Sequence, residues 1–371
     1  MTAYIGTHEA ARLLGVTPAT LYAYVSRGRI TRRSGPDGRT SLFALADVEA
    51  LSSRSRRAPV GPRPTIDVRI ASSITTLGDD GVVVRGHDLP ALAGTRSFEA
   101  IAELLWSGAL PERDPVWPAC ADRDVVSSPP VSDPLARLVH VANVLADRHL
   151  DDDPSTAARR LITAAPVVLG ARRATGSIAV RLASAARARP TPALVGAIDV
   201  ALGLLADHEL ATSTLAVRVA ASVRARPMIA YLAGLAVVSG PLHGSASATV
   251  HRFLAECETE GVAETIARHR AIGAALPGFG HKVYRGPDPR CAPLLDAVRR
   301  VSDASLVDAV IAEAGRVVPR HPNVDLALGA LSYVAGLDAT PLFAVARIAG
   351  WAAHYAEELD APPLRYRGIT A

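Results

Sequence analysis

Histidine, aspartate and arginine side chains recur in three separated segments of the chain, each framed by glycines or prolines. The segments are residues 240–244 (GPLHG), residues 277–290 (PGFGHKVYRGPDPR) and residues 322–325 (PNVD), the last followed by residues 343–347 (FAVAR). The polar groups that they contribute are His243, His281, Arg290, Asp325 and Arg347. Because glycine and proline break helices, we expect each of these groups at a helix end or in a loop that faces a cavity.

These side chains suit the formation of a carbon–carbon bond beside a carbonyl group. A carboxylate such as Asp325 can take a proton from the methyl group of a thioester, and a histidine bonded to the thioester oxygen can stabilise the resulting enol. A second histidine can donate a hydrogen bond to the carbonyl of the acceptor, which makes that carbonyl more electrophilic. A di-acid acceptor would be held bidentately by arginines, the candidates being Arg290, Arg347 and either Arg365 or Arg367.

The composition predicts that a mainly α fold positions these groups. Hydrophobic residues make up 49% of the 371 residues and aromatic residues only 4%, so the core must consist of alanine, leucine and valine, which pack well in helices. Long apolar segments between residues 134 and 235 are typical of packed helices with arginines on their outer faces. Residues 65–70 (TIDVRI) alternate as a strand does, and a turn at residues 78–81 follows.

Several classes of protein are disfavoured. The longest apolar run, residues 228–242, is interrupted by two glycines and is too short to span a bilayer. The N-terminal residues are polar and lack an apolar signal segment, so we expect a cytoplasmic protein without membrane contact. The three cysteines have no C-x-x-C spacing, and no cluster of histidine, cysteine and aspartate indicates a metal site.

Taken together, the three segments resemble the signature segments of the citrate synthase family, in the family's order. Further matches are residues 78–111, residues 207–210 (DHEL) and residues 344–354 (AVARIAGWAAH), so that the resemblance covers roughly residues 66–367. Several agreeing motifs are far more specific than any one alone. The resemblance implies an enzyme that condenses an acyl-CoA with oxaloacetate, as in the tricarboxylic acid cycle, and releases free CoA.

The resemblance also implies an architecture. The family fold is a two-domain helical fold that works as a homodimer with shared active sites. The large domain would comprise residues 65–243 and 331–371, and a small domain, residues 244–330, would close over the substrate.

Individual roles follow from the resemblance. His243 would stabilise the enol of acetyl-CoA, Asp325 would be the base, and His281 would polarise the carbonyl of oxaloacetate. The oxo acid would be held by His208, Arg290, Arg347, Phe343 and, from the partner subunit, Arg365. Coenzyme A would contact Leu242, Pro277, Gly278, Phe279, Gly280 and Arg285. No tightly bound cofactor and no metal are implied, and the citryl-CoA thioester would be hydrolysed in the same site.

Four departures from the family pattern affect specificity. Ser245 follows Gly244 where many members have a second glycine, and Leu205 stands where a second histidine is common. Ala211 replaces an asparagine, and residues 326–329 read LALG in place of FYSG. No catalytic group is lost, but an apolar lining could admit propionyl-CoA as well as acetyl-CoA.

The N-terminal segment has a different character. Residues 1–64 contain ten arginines and four acidic residues, a net charge of +6, and residues 52–64 (SSRSRRAPVGPRP) indicate a linker. In residues 1–51, Thr17-Pro18 is typical of a helix start after a turn at Gly15, which predicts a helix-turn-helix head. This head resembles the MerR and excisionase-type winged helix family. It would bind DNA through residues 1–57, or serve as a docking or dimerisation module.

The sequence alone is therefore compatible with two functions. The first is an active citrate or 2-methylcitrate synthase with an appended head. The second is a transcription regulator that uses the synthase fold to sense an acyl-CoA or a di-acid. The intact catalytic side chains favour the enzyme.

Overall fold

A computed structural model describes residues 4–14, 16–35, 40–48, 69–78, 81–126, 130–187 and 189–362. The chain divides into two compact units, Met1–Ile70 and Ala71–Ala371. The predicted linker at residues 52–64 and the predicted site residue Arg365 lie outside the described residues. The predicted division of the larger unit into a large and a small domain stays a prediction.

The first unit contains two helices and a small antiparallel sheet. Its elements are β1 (Tyr4–Gly6), α1 (Thr7–Leu14), α2 (Pro18–Ser26), β2 (Arg32–Ser34) and β3 (Ser41–Ala44), with strand order β1-β3-β2. Residues 45–48 are helical. Thr17 caps α2, since its hydroxyl accepts a hydrogen bond from the Thr20 N–H (3.3 Å), as its position before Pro18 predicts. Leu21 and Phe43 are fully buried in the core of the unit.

The second unit opens with a three-stranded antiparallel sheet. Its strands are β4 (Thr75–Leu77), β5 (Val82–Val84) and β6 (His87–Asp88). The Gly78 N–H donates to the Gly81 carbonyl (2.9 Å), which closes the predicted turn. The sequence predicts a strand at residues 65–70. Residues 69–70 do not form a strand, and residues 65–68 lie outside the described part.

Helices make up most of the second unit, as the composition predicts. Fifteen of them lie in the part that the structure describes. They are α3 (Leu89–Thr95), α4 (Phe98–Ser107), α5 (Arg123–Val126), α6 (Pro134–Arg148), α7 (Pro154–Val168), α8 (Ile178–Ala186), α9 (Pro192–Leu205), α10 (Thr212–Ser222), α11 (Pro227–Val238), α12 (Ala246–Glu260), α13 (Val262–Ala271), α14 (Cys291–Val301), α15 (Ser305–Val317), α16 (Val324–Ala335) and α17 (Ala339–Asp360).

Local sequence fixes where many of these helices begin and end. The Ser97 hydroxyl accepts a hydrogen bond from the Ala100 N–H (3.3 Å) and starts α4, and Gly108 ends it in the left-handed conformation (φ 76°). The other side-chain caps in this unit are Asp88, Asp133, Asp153, Ser177, Thr191, Asn323 and Asp338. Caps and prolines at helix starts therefore made these boundaries predictable.

The core of the second unit is organised around α17, which is buried along most of its length and packs against α4, α7, α9, α10 and α11. Trp351 is fully buried on α17. A Cβ atom at Gly234 of α11 would lie 2.9 Å from three atoms of the Trp351 ring, so only glycine allows this contact. Close packing on both sides holds α17 rigidly, and α17 carries two of the predicted site residues.

No helix among the described residues is long and apolar enough to cross a membrane. Within the same described ranges, no group of three or more histidine, cysteine, aspartate or glutamate side chains is placed to hold a metal ion. Cys120, Cys257 and Cys291 are buried free thiols.

Candidate active site

The predicted site residues meet around one open cavity of about 420 Å³. Its lining includes the predicted residues His208, Leu242, His243, Gly280, His281, Arg290, Asp325, Phe343 and Arg347. They come from the turn before α10, the turn between α11 and α12, the loop before α14, the start of α16 and one face of α17. Five separate stretches of the chain therefore form a single site.

His243 is a neutral hydrogen-bond donor in this cavity. Its Nε2 lies 2.8 Å from the Ser213 hydroxyl oxygen, which also accepts a hydrogen bond from the Trp351 indole N–H (3.3 Å). Because Trp351 already donates to this oxygen, we assign the Ser213 O–H as the donor to Nε2, which places the ring proton on Nδ1. Burial, with a contribution from the nearby Arg347 charge, lowers the pKa of His243 to about 4.

A glycine fixes the turn that carries His243. A Cβ atom at Gly244 would lie 2.5 Å from Cγ1 of Val238 and 2.8 Å from its carbonyl oxygen. The turn is thus pressed against the end of α11, and the imidazole ring lies edge-on to Phe343 at 5.4 Å between centroids.

Asp325 lies in the first turn of α16, where the helix dipole favours a negative charge. Asn323 caps this helix by accepting from the backbone N–H groups of Asp325 (3.0 Å) and Leu326 (3.3 Å). The Ser247 hydroxyl donates to Oδ1 of Asp325 (2.7 Å). Burial nevertheless raises the pKa of Asp325 above its ordinary value. A desolvated carboxylate of this kind is a stronger base than one in water.

His281 presents its other ring nitrogen as a donor. Its Nδ1 accepts from the backbone N–H groups of Val283 (3.1 Å) and Tyr284 (3.3 Å), which assigns the ring proton to Nε2. Nη2 of Arg290 lies 3.4 Å from that Nε2, and because both nitrogens then carry protons we assign no hydrogen bond to this longer contact. Burial and the Arg290 charge lower the pKa of His281, so the ring stays neutral.

Two glycines shape the loop before His281. Gly278 (φ 80°) and Gly280 (φ 86°) both adopt the left-handed conformation. The loop is tied to the start of α16, because the Asn323 side chain donates to the Gly280 carbonyl (2.6 Å) and the Asn323 N–H donates to the Gly278 carbonyl (2.9 Å). One residue, Asn323, thus sets the spacing between His281 and Asp325.

Two buried arginines bring positive charge to the cavity. Arg290 is held bidentately by Asp288, through Nε (3.0 Å) and Nη2 (2.9 Å), and Asp288 also accepts from the Val324 N–H (3.0 Å). Arg347 is 2% exposed, and none of the described residues accepts a hydrogen bond from its Nε or Nη1. Burial lowers the pKa of Arg347 to about 10, so it remains charged at neutral pH. Unpaired donors on a buried cation fit a carboxylate ligand.

The position of Arg347 corrects one expectation. We expected each polar group at a helix end or in a loop, and this is wrong for Arg347, which lies two turns inside α17. Its placement follows from the helical spacing of Phe343 and Arg347, which puts both side chains on one face, with the guanidinium 5.0 Å from the Phe343 ring centroid.

His208 completes the polar wall. It is 7% exposed, its Nε2 lies 2.9 Å from the Tyr284 hydroxyl oxygen, and its ring is edge-on to His281 at 5.5 Å. Burial, followed by the Arg290 and Arg347 charges, lowers the pKa of His208 well below its ordinary value. All three histidines of the site are therefore neutral at pH 7.

The residues predicted to contact coenzyme A are more dispersed. Leu242 is 87% exposed at the cavity, and Gly280 lines it. The other predicted contacts, Pro277, Gly278, Phe279 and Arg285, are not in its lining. Phe279 is buried against the start of α16, where its backbone bridges to Pro322. The roles of these residues in binding stay predictions.

Sequence reasoning missed the residues that orient the reactive groups. Ser213 positions His243, Ser247 positions Asp325, and Tyr284 positions His208. Asp288 was visible within the second segment, but its partnership with Arg290 was not predicted. The available signal was proximity in sequence, since Ser247 follows His243 by one helical turn and Asp288 stands two residues before Arg290.

Comparison with known proteins agrees with this site. A family model described as citrate synthase, C-terminal domain, matches residues 67–367. The citrate synthase of Haloferax volcanii is 29% identical over 356 residues, covering 78% of this chain and 91% of that protein. The 2-methylcitrate synthase of Mycobacterium tuberculosis is 27% identical over 373 residues, covering 87% of this chain and 94% of that protein.

A solved structure shows the same fold. The ternary complex of carboxymethyl coenzyme A and oxaloacetate with citrate synthase from Thermoplasma acidophilum has a TM-score of 0.64 at 23% identity, covering 82% of this chain and 95% of that one. Because the family model matches far more than half of the sequence, this chain belongs to the citrate synthase family and is a condensing enzyme of the citrate synthase type.

Proposed function

We propose that this chain acts in the cytoplasm, condenses acetyl-CoA or propionyl-CoA with oxaloacetate, and releases citrate or 2-methylcitrate and free CoA. The observation that carries the proposal is the convergence of Asp325, His243 and His281 on one cavity that is also lined by the buried Arg347. A base, two neutral donors and a cation for a carboxylate are the groups that this reaction needs.

The first step forms the nucleophile. Asp325 takes a proton from the carbon next to the thioester carbonyl, and the electrons of that C–H bond form the enol double bond. The Nδ1–H of His243 donates to the thioester oxygen, where negative charge develops. Because His243 is neutral and Ser213 fixes its tautomer, the donor is in place before the substrate binds.

The second step forms the carbon–carbon bond. The enol carbon attacks the 2-oxo carbon of oxaloacetate, and Nε2–H of His281 donates to the carbonyl oxygen that becomes the alcohol. Arg290, Arg347 and His208 hold the oxo acid, with the guanidinium of Arg347 pairing one of its carboxylates. Water then attacks the thioester carbonyl, the C–S bond breaks, and CoA leaves as the thiol.

Thiol release tests this function directly. Purified full-length protein is mixed with oxaloacetate and either acetyl-CoA or propionyl-CoA, and free thiol is followed with a chromogenic reagent. We expect oxaloacetate-dependent release with at least one acyl-CoA, and the larger kcat/KM identifies the preferred substrate. No release with either, from folded protein that binds CoA, would contradict the proposal and favour a ligand-sensing regulator.

We also propose that the protein is a homodimer. α11 (PMIAYLAGLAVV) is apolar on every face, which is unusual for a helix with one side open to water. Val219 on α10, Val223 directly after it and Ile229 on α11 are 38%, 61% and 37% exposed. A second copy would cover this apolar surface, and Arg365 of the partner subunit would then reach the oxo acid. Sedimentation equilibrium tests the dimer, and charged substitutions at Val223 and Ile229 should dissociate it.

A DNA-binding head is a second, separable proposal. Arg27 and Arg29 after α2, with Arg32 and Arg33 on β2, are exposed, and residues 1–64 have a net charge of +6. A winged helix-turn-helix would use such a surface on phosphates. Retardation of DNA that weakens with salt and disappears on deletion of residues 1–57 would support this role. Absent or salt-insensitive binding would leave docking as the function of the head.

A further inference from the structure

A buried carboxylate lies directly behind the oxo-acid side of the cavity. Asp207 is fully buried, and its Oδ2 accepts three hydrogen bonds, from the Thr75 hydroxyl (2.5 Å), the Glu209 N–H (3.1 Å) and the His354 ring (3.3 Å). None of the described residues bonds to its Oδ1. An ionised carboxylate is costly to bury, so its position needs an explanation beyond packing.

Asp207 shapes the turn that presents His208. The hydrogen bond from the Glu209 N–H to the Asp207 side chain closes an Asx turn around His208. Glu209 has a φ of 52°, a left-handed conformation that residues other than glycine rarely adopt. The Asx turn offsets this strain, so the orientation of His208 depends on the Asp207 carboxylate.

A polar chain behind Asp207 fixes the orientation of that carboxylate. Nδ1 of His354 lies 3.3 Å from Nη1 of Arg218, which can only donate, so Nδ1 accepts and Nε2 carries the proton given to Asp207. Arg218 is 1% exposed and is held by Glu358 (2.8 Å) and Glu357 (2.6 Å). His354 therefore donates to Asp207 through Nε2, while Nδ1 accepts from Arg218.

The same carboxylate faces the helix that carries Arg347. Arg347 and His354 are seven residues apart on α17 and so share a face. Between them, the Gly350 N–H donates to the Ala206 carbonyl (3.0 Å), and a Cβ atom there would collide with Asp207 Oδ1. Burial lowers the pKa of Arg347. Of the charges around it, Asp207 is the one that most favours the ionised guanidinium.

We propose that Asp207, oriented by His354, is a positioning residue of the oxo-acid site. It fixes the turn that carries His208 and supplies the negative charge behind Arg347, although it does not line the cavity. The inference rests on the proposed function, in which Arg347 and His208 hold the oxo acid. Its consequence is selective, since the hydrogen bonds of Asp207 among the described residues go to Thr75, Glu209 and His354 and not to His243 or Asp325.

Asp207→Asn separates the effect of the charge of Asp207 from the effect of its hydrogen bonds. The amide oxygen can replace Oδ2 and keep all three hydrogen bonds, and the amide nitrogen takes the place of Oδ1, which has no partner among the described residues. We expect the KM for oxaloacetate to rise about tenfold or more while the KM for acyl-CoA changes less than about twofold. The Kd of oxaloacetate, measured by calorimetry, should rise in parallel.

Two other variants keep the proposal testable if Asp207→Asn folds poorly. Thr75→Val removes one hydrogen bond to the same carboxylate but keeps its charge, so it should change the oxaloacetate Kd less than about threefold. His354→Ala should weaken oxaloacetate binding, and His354→Gln, whose amide can donate in place of Nε2, should restore most of it. Rescue by glutamine would not be seen if His354 only filled space.

The outcomes are distinct. Equal increases in both KM values, a fall in kcat alone, or the same effect from Thr75→Val and Asp207→Asn would overturn the positioning role. Calorimetry separates a failure of the positioning role from a failure of the proposed function. If the unmodified protein binds oxaloacetate but releases no CoA, the proposed function fails, and the binding data still decide the role of Asp207.

Discussion

At the scale of residues, the chemistry depends on groups whose protonation is set by their neighbours. The motif residues themselves were predictable, because glycine and proline mark the turns on which His243, His281 and Asp325 lie. Their hydrogen-bond partners were not, since Ser213 and Ser247 lie in ordinary helical sequence and acquire their roles only through tertiary contact. Spacing identifies which groups react, whereas the fold determines their tautomers and their charge.

Asp325→Asn should abolish turnover and leave oxaloacetate binding largely intact. The substitution removes the base but keeps the side-chain volume and the acceptor for Ser247, so kcat should fall by about a hundredfold or more. Arg347→Ala is the matched comparison, because it removes the cation and should raise the oxaloacetate Kd strongly. Calorimetry and thiol release measure both effects. Equal losses of binding in the two variants would show that the assigned roles are wrong.

The profile of kcat against pH should have one acid limb. Between pH 6 and 8, titration of His243 should not change kcat. The pKa of His243 is lowered to about 4, so it stays neutral throughout that range. The pKa of Asp325 is raised by burial, and the base is lost as pH falls through that raised value. Activity is therefore present above the pKa of Asp325 and lost below it.

Ser247→Ala identifies the group responsible for the acid limb. The hydrogen bond from Ser247 lowers the pKa of Asp325, so its removal should move the acid limb to higher pH. The readout is the kcat–pH profile of each protein under saturating substrates. A limb that stays in place, or moves to lower pH, would assign it to a group other than Asp325.

At the scale of elements, the site depends on how tightly a few helix ends approach one another. Most helix boundaries were readable from caps such as Ser97 and Thr17, since capping is a local interaction. The burial of Arg347 inside α17 could not be read from the sequence, because the groups that favour a buried charge there come from distant parts of the chain. The alternation of residues 65–70 also predicted a strand, whereas residues 69–70 are not extended into one.

Gly278→Ala should disturb stability and catalysis together. Gly278 has a φ of 80°, and a Cβ atom there would lie 2.8 Å from Leu326 Cβ and 2.9 Å from its Cα. The left-handed conformation alone costs alanine about 1–2 kcal/mol, and the backbone contact would push the His281 loop away from α16. We expect a lower free energy of unfolding in denaturant titrations and a lower kcat.

Gly315→Ala serves as the control for that substitution. Gly315 is exposed on α15, and a Cβ atom there meets nothing within 4 Å. It should stabilise the protein by about 0.5–1 kcal/mol, because alanine is the better helix former. Unchanged stability and activity in Gly278→Ala would mean that the loop does not depend on this approach.

At the scale of the whole molecule, the sequence predicted the family and the helical class because the motifs span most of the second unit. Quaternary structure and the division into closing domains depend on surfaces that a pattern of residues does not encode. The family match begins at residue 67 and leaves the head outside it. The head and the enzyme are therefore separable hypotheses.

Deletion of residues 1–57 should leave the condensation reaction nearly unchanged. The cavity residues all belong to the second unit, and the family match begins at residue 67. We expect kcat/KM for both substrates to stay within about twofold, and the melting temperature of the remaining unit to persist. A large loss of activity would show that the head supports the active site.

The buried charge of Arg347 links the stability of the protein to its substrate. Its Nε and Nη1 have no acceptor among the described residues, and pairing of this buried cation with a carboxylate would favour the folded state. An acceptor present at a hundred times its Kd would add about 2.7 kcal/mol to the free energy of unfolding. Resistance to heat and to proteolysis would then rise with the concentration of the oxo acid.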